Sequence, residues 1–176
     1  MASTTGLTRF KDGEFRIFTT RDGLPDDYIR DLARGADGFP LVHTRTGFAR
    51  WRHDRFVPLE GVADVPVAHV SVFIQDRAGT LWIGLLREGL LRIRDGQTTR
   101  LTTREGLADD SVVSLFEDRD GRVWVGTLNG VTVKLECVNE IQTLPATTEN
   151  GRRADSAMIG ASCESGATAP VAPVTP

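Results

Sequence analysis

Short apolar runs with no helical period dominate the first 135 residues of the chain. Between residues 68 and 103 the runs AHVSVFIQD, TLWIGLL, GLLRIR and QTTRLTT follow one another, separated by the turn sequences RAG, REG and DG. Such runs, rich in Val, Ile, Leu, Thr and aromatic residues, predict β-strands. Asp-Gly pairs at 12–13, 95–96 and 120–121 supply the positive φ of tight hairpins, so neighbouring strands are predicted to be antiparallel. The pattern therefore predicts an all-β protein.

The predicted strands belong to a repeat of about 42 residues. EDRDGRVWVGTLNGVTV (117–133) matches QDRAGTLWIGLLREGLLRI (75–93) with one inserted residue, and more faintly RGADGFPLVHTRTGFARW (34–51). TTRDGLPDDYI (19–29) returns as TTREGLADDSV (102–112), 83 residues later. A four-stranded antiparallel meander at this period is typical of a β-propeller blade, whereas the alternative, a β-sandwich, does not require a strict repeat.

The strand count predicts a partial β-propeller. The chain supplies the last pair of one blade (6–18), two full blades (28–59 and 69–102) and three strands of another (111–135), which makes 13 strands or about three and a quarter blades. Propellers close with typically 4–8 blades, so this number falls short of a ring. Trp82 and Trp124 occupy the same repeat position and are predicted to be buried between neighbouring sheets.

The repeated residues resemble the two-component regulator propeller repeat. GLADDSVVSLFEDRDGRVWVGTLNGV (106–131) and GLTRF (6–10) carry the resemblance, which extends over residues 6–135. The chain departs from the pattern at LVHT (41–44), where WVGT is expected, at WIGL (82–85), which lacks the threonine, and at VTVKL (131–135), which lacks an arginine. These departures concern the packing of single blades.

The resemblance implies a ligand-sensing module of a signalling protein. In proteins with these repeats the propeller usually forms the extracytoplasmic sensor region ahead of a membrane helix and a histidine kinase or diguanylate cyclase, and several bind carbohydrates. The expected partners are a small-molecule or carbohydrate ligand, and further propeller blades or other copies of the chain. We expect a fragment without output domain and without enzymatic activity. The alternatives are a protein–protein interaction scaffold that closes a propeller by oligomerisation and, more remotely, a propeller lyase or hydrolase.

Composition divides the chain at residue 136. Residues 1–135 contain every aromatic residue and are predicted to form the propeller repeats, whereas 136–176 are predicted to be a disordered, low-complexity tail that protease cleaves readily. The net charge of −3 lies in residues 136–176, and residues 1–135 are neutral. Residues 1–135 therefore have no basic stripe that would bind nucleic acid. No signal peptide or membrane span is legible, so the chain as written is expected to be cytoplasmic, while the resemblance implies a periplasmic location.

Residues that carry metal or catalytic chemistry are not arranged in a recognisable motif. The sequence DRDG at 118–121 offers carboxylates before a glycine, but the other repeats lack them, so a hairpin turn is favoured over a calcium site. His43, His53 and His69 lie on different elements and are interpreted as surface or half-buried strand residues. Cys137 and Cys163 have no metal-binding spacing. We predict no cofactor, no metal and no catalytic residue.

One face of the propeller is the candidate ligand site. In a four-stranded meander the second turn of a blade and the crossover to the next blade lie at the same rim, where loop residues are free to bind. The polar residues assigned to this rim are Asp26, Asp27, Arg45, Arg87, Glu88, Asp109, Asp110 and Asn129. The competing interpretation is that Asp26 and Asp109 only accept backbone hydrogen bonds in an Asx-type turn.

Overall fold

The structure is a computed structural model that describes residues 2–3, 5–134 and 141–144. In this part of the chain the backbone forms fifteen strands and three short 3₁₀ turns. The strands are β1 (Ala2–Ser3), β2 (Gly6–Lys11), β3 (Glu14–Phe18), β4 (Ile29–Arg34), β5 (Pro40–Thr44), β6 (Phe48–Arg52), β7 (Arg55–Pro58), β8 (Val70–Gln75), β9 (Leu81–Leu85), β10 (Leu90–Arg94), β11 (Gln97–Leu101), β12 (Val112–Glu117), β13 (Val123–Thr127), β14 (Gly130–Lys134) and β15 (Ile141–Leu144).

The strands form four antiparallel sheets that follow one another along the chain. The N-terminal sheet contains β1–β3, the first blade β4–β7, the second blade β8–β11 and the third blade β12–β15. Each blade is a meander of consecutive hairpins, and its first strand lies against the first strand of the next blade. First strands that lie together line the axis of a propeller. The all-β class and the partial β-propeller predicted from the sequence are thus confirmed.

Two strands are additional to the thirteen counted in the sequence. The first, β1, is only two residues long and pairs Ala2 with Leu7. The second, β15, pairs with β14 and completes the third blade. It lies inside the segment predicted to be disordered, so the structure corrects that prediction at Ile141–Leu144, where IQTL fills the open edge of β14 although it contains no aromatic residue. The rest of 136–176 lies outside the described residues.

The apolar core lies between consecutive sheets, in three clusters. Neighbouring residues of one strand contribute to different clusters, because successive side chains point to opposite faces of a sheet. In β5, Val42 packs towards the N-terminal sheet and Leu41 towards the second blade. In β9, Ile83 packs towards the first blade and Trp82 towards the third. All five residues of β9 are buried, as the apolar run predicts for a strand covered on both sides.

A buried aspartate–tryptophan pair closes the first turn of the second blade. Asp76, 1% exposed, accepts a hydrogen bond from the Trp82 Nε1–H at 2.7 Å and another from the backbone N–H of Thr80 at 2.7 Å. Both polar groups are therefore satisfied inside the core, which is what makes their burial tolerable. The first blade has Gly35 and Leu41 at these two repeat positions, so aspartate and tryptophan are absent together.

The third blade repeats the pair but does not bury it. Trp124 Nε1–H donates to Asp118 at 2.8 Å, and the indole is half-buried, whereas Trp82 is 1% exposed. Trp82 is covered by Val123 and Val125 of the blade that follows it. No described blade follows the third one. The prediction that Trp124 is buried between sheets is therefore wrong for the described residues, because that burial needs a further sheet.

Candidate functional site

The structure brings the crossovers and the second turns of the blades to one rim, which we call the crossover face. Asp26 and Asp27 precede β4, and Asp109 and Asp110 precede β12. Backbone hydrogen bonds join these crossovers to the turns that carry the other residues: Arg45 N–H donates to the Tyr28 carbonyl at 3.0 Å, and Leu128 N–H to the Ser111 carbonyl at 3.1 Å. The crossover face thus holds Asp26, Asp27, Arg45, Arg87, Glu88, Asp109, Asp110 and Asn129 on joined loops.

Two of the three crossovers contain the same 3₁₀ turn, Thr20–Asp22 in one copy and Thr103–Glu105 in the other, whereas the turn at Val67–His69 lacks its caps. A capping box opens the turn, and a glycine with φ near +100° closes it, which only glycine adopts without strain. Asp27 accepts a hydrogen bond from Thr20 N–H, and Asp110 from Thr103 N–H, both at 2.7 Å. These two carboxylates hold the crossover in place.

Asp26 and Asp109 form Asx-type turns at the start of the innermost strands. Asp26 accepts from Tyr28 N–H and Asp109 from Ser111 N–H, both at 2.7 Å. These backbone N–H groups are the main reason that the pKa of each carboxyl lies below its ordinary value. Asp26 and Asp109 therefore accept backbone hydrogen bonds, as the Asx-turn interpretation predicts, and both carboxylates are ionised at neutral pH.

The second oxygen of each carboxylate contacts a residue of the second turn. Arg45 pairs with Asp26 at 3.0 Å in one copy, and Asn129 Nδ2 donates to Asp109 at 2.8 Å in the other. The Arg45 side chain is 63% exposed although it is paired. In these two of the three crossovers an aspartate thus positions a turn residue that differs between the blades.

Glu88 and Arg87 occupy the second turn of the second blade. Glu88 accepts from Arg100 Nη1 at 3.0 Å and contacts His69 Nδ1, and these hydrogen bonds, the one from Arg100 first, lower the pKa of its carboxyl. Arg87 has φ 65° and an exposed side chain. The turn is one residue longer here than in the other two blades, so Arg87 has no counterpart in the simple repeat.

His43 is a buried residue beside this face that sequence reasoning placed at or near the surface. It is 1% exposed and stacks on Phe48, with ring centroids 4.6 Å apart. Burial, and then the charge of Arg30, lower the pKa of His43 to about 4, and its Nε2 has no hydrogen-bond partner among the described residues. The repeat could have indicated this burial, because His43 occupies the position at which the other blades have Gly84 and Gly126.

Two cavities lie away from the crossover face. One, of about 300 Å³, lies between the first and second blades at the opposite rim, where Arg52 ends β6 and where Gly79 and Gly96 belong to the first and third turns of the second blade. The other, of about 340 Å³, follows the innermost strands and is lined by Asp31, Phe73, Phe116 and their neighbours. Burial raises the pKa of Asp31 above its ordinary value. A ligand on the crossover face would therefore contact loops and not enter either cavity.

The DRDG turn of the third blade uses its first carboxylate internally. Asp118 accepts from Trp124 and Arg122, and these donors hold the pKa of its carboxyl far below the ordinary value. Among the described residues, no group of three or more His, Cys, Asp or Glu side chains is close enough to hold a metal ion.

None of the helical segments in the described ranges is long and apolar enough to span a membrane.

These features define the class of protein: a β-propeller module of antiparallel four-stranded blades with polar loops collected at one rim. Residues 106–129 match the family model described as two component regulator propeller. The matched segment runs from the end of a crossover through β12 and β13 to the second turn of the third blade. The resemblance stated from the residues is confirmed by this match. No curated protein sequence matches the chain.

Solved propellers share the fold. One is the extracellular domain of BT3049 from B. thetaiotaomicron, described as a hybrid two component system, with a TM-score of 0.65 and 16% identity over 80% of this chain and 21% of that one. The corresponding domain of BT4673 gives 0.60 and 19% over 81% and 23%. Virginiamycin B lyase from Staphylococcus aureus gives 0.59 and 14% over 81% and 49%. The chain thus spans less than a quarter of these two extracellular domains, and identities this low establish the fold alone.

Proposed function

We propose that the chain is part of the extracytoplasmic sensor region of a signalling protein of the two-component type, and that it binds a ligand on the crossover face without catalysing a reaction. The observation that carries the proposal is the family match at 106–129, which contains a complete copy of the candidate site, with Asp109 and Asp110 on the crossover and Asn129 on the turn. The extracellular domains of two component systems that share the fold support this assignment.

The geometry suggests a division of roles on this face. Asp26, Asp27, Asp109 and Asp110 accept backbone hydrogen bonds, so they shape the loops. The turn residues Arg45, Arg87 and Asn129 differ between the blades, and we assign ligand contact to them. Guanidinium and amide groups donate hydrogen bonds to oxygen atoms, which suits a carbohydrate with hydroxyl or carboxylate groups.

Titration calorimetry with a panel of neutral and uronic-acid oligosaccharides tests this proposal. Arg87→Gly is suitable because its φ of 65° favours glycine, and Arg45→Ala removes the second cation. Each change is expected to weaken binding about tenfold or more, since a hydrogen bond to a charged group contributes about 1.5–3 kcal/mol. Arg94→Ala changes an exposed arginine at the end of β10, beside the third turn at the opposite rim; it is the matched control and is expected to leave binding unchanged.

Two results would contradict the proposal. One is the absence of binding by any oligosaccharide of the panel at millimolar concentration. The other is an equal loss of affinity in the Arg94→Ala control, which would place the ligand elsewhere on the propeller. Far-ultraviolet circular dichroism of each variant shows whether the fold is retained.

A further inference from the structure

The cavity of about 300 Å³ between the first and second blades is bordered by an unusually long crossover, residues 59–69. Val70 at the start of β8 follows Gly61 by nine residues, whereas Ile29 at the start of β4 follows Gly23 by six. Both glycines have a positive φ, 77° and 96°. The crossover before β12 has the shorter length. Because insertions in single repeats commonly serve binding, this cavity is a candidate site specific to one blade junction.

Four charged side chains line this cavity, and two of them are already paired. Arg50 pairs with an aspartate of the first turn, and Asp95 pairs with the arginine that precedes it. The other two are Arg52 and Glu60, both exposed. Within the part of the chain that the structure describes, neither has an ion pair or a hydrogen bond. One unpaired cation and one unpaired carboxylate thus border the same cavity.

Strand alternation directs Arg52 towards the second blade. In β6, Phe48 belongs to the apolar cluster shared with the second blade, whereas Ala49 belongs to the cluster on the other side of the sheet. Side chains two residues apart on a strand share a face, so Arg50 and Arg52 lie on the same side as Phe48. Glu60 reaches the cavity from the long crossover, which is a different segment of the chain. The two opposite charges are therefore held by separate elements.

Apolar side chains form another part of the lining. Leu81 and Ile93 are each 6% exposed, and Val57 of β7 is half-buried. A volume of about 300 Å³ lies at the lower end of the range of ligand pockets, which favours a small ligand. The lining thus combines an apolar surface with one positive and one negative group.

We propose that this cavity binds a small zwitterion with an apolar side chain, of the α-amino acid class. Its carboxylate pairs with the Arg52 guanidinium, its ammonium group pairs with the Glu60 carboxylate, and its side chain lies against Leu81 and Ile93. Guanidinium–carboxylate pairs are among the strong hydrogen-bonded contacts in proteins. The site is separate from the crossover face, so the inference does not rest on the proposed function.

Titration calorimetry with L-leucine and two analogues tests this pairing on the full chain. Isocaproate lacks the ammonium group of leucine, and isoamylamine lacks its carboxylate. Leucine is expected to bind at millimolar concentration or below. Each analogue is expected to bind about tenfold or more weakly, because it loses one contact with a charged group.

Variants of the lining locate the ligand. Arg52→Ala and Glu60→Gln are each expected to weaken leucine binding about tenfold or more. Val57→Phe fills part of the cavity and is expected to abolish binding, with urea unfolding as the check that the fold is retained. Lys11→Ala, at the position of Arg52 in β2, and Glu14→Gln change exposed charges away from the cavity and are expected to leave leucine binding unchanged.

Three outcomes overturn the proposal. Absence of leucine binding at millimolar concentration means that the cavity does not take this class of ligand. An analogue that binds as tightly as leucine means that only one of the two charges is recognised. Leucine binding that Arg52→Ala leaves intact and Arg45→Ala removes means that the ligand lies on the crossover face. Failure of oligosaccharides to bind the crossover face leaves the leucine measurement unaffected, so the two proposals fail separately.

Discussion

His43 is predicted to make the free energy of unfolding depend on pH between about 6.5 and 4. In the folded chain the imidazole is 1% exposed and its pKa is lowered from 6.5 to about 4, because burial disfavours the charged ring. In the unfolded chain the ring is hydrated and has its ordinary pKa. Above pH 6.5 both states are neutral at this residue, and it contributes no pH dependence. Below that value the unfolded chain binds more protons than the folded chain, so the free energy of unfolding decreases as the pH is lowered.

The size of the effect follows from the shift. A difference of one pKa unit corresponds to 1.36 kcal/mol, so a lowering from 6.5 to about 4 amounts to about 3 kcal/mol when the transition is complete. At pH 4.5 the His43 shift is expected to lower the free energy of unfolding by roughly 2–3 kcal/mol relative to its value above pH 6.5. Asp31, which pairs with His43 across β4 and β5, has a raised pKa and acts in the opposite direction. The prediction therefore concerns the difference between two variants, from which the Asp31 contribution cancels.

Urea unfolding at pH 7.5 and pH 4.5 measures that difference. His43→Phe keeps a ring against Phe48 but cannot be protonated, so it is expected to lose about 2–3 kcal/mol less than the parent between the two pH values. His53→Asn changes an exposed histidine with φ 47° and is expected to behave as the parent. If parent and His43→Phe lose the same free energy, His43 is not held neutral by burial and the reasoning fails.

Two further predictions concern the blade interfaces, and urea unfolding measures both. Trp82→Ala is expected to cost about 3–5 kcal/mol, and Trp124→Ala less than half as much, since only the first indole is covered by a following blade; equal costs would contradict this. Gly84→Ala is expected to destabilise by about 1–3 kcal/mol because its Cβ would lie 2.6 Å from Val112 Cγ1. Gly126→Ala is expected to cost less, since the obstructing group there is a rotatable serine hydroxyl, and the reverse order would refute the packing argument.

The repeat and its turns could be predicted from the sequence because they depend on local chemistry. Asp-Gly turns and short β-branched runs determine hairpins, and the recurrence of Gly38, Gly79 and Gly121 places those hairpins in register. The crossover face follows from topology alone, since a meander alternates its turns between two rims. Fold class and the grouping of the candidate residues were therefore accessible before any coordinates.

The burial of single side chains and the pairing of edge strands depend on neighbouring sheets, so they could not be predicted from local sequence. Trp82 and Trp124 lie in similar local sequences, but their burial differs because a described blade covers only one of them. The departure LVHT (41–44) places His43 at the glycine position of the repeat in the sequence, but its burial depends on the rings of Phe48 and Phe73 that pack around it in the fold. The strand Ile141–Leu144 carries a weak pattern of its own and forms because β14 offers an unpaired edge.

The paired absence of aspartate and tryptophan from the first blade limits how such a repeat can change over time. A tryptophan alone at Leu41 would bury an indole N–H without its acceptor, and an aspartate alone at Gly35 would bury a carboxylate without its donor. Either single change leaves one buried polar group without its partner and is expected to cost about 1–3 kcal/mol, while both together supply the donor and the acceptor that Trp82 and Asp76 provide in the second blade. The two positions are therefore epistatic, and a mutational route between the two versions of the blade passes through a destabilised intermediate.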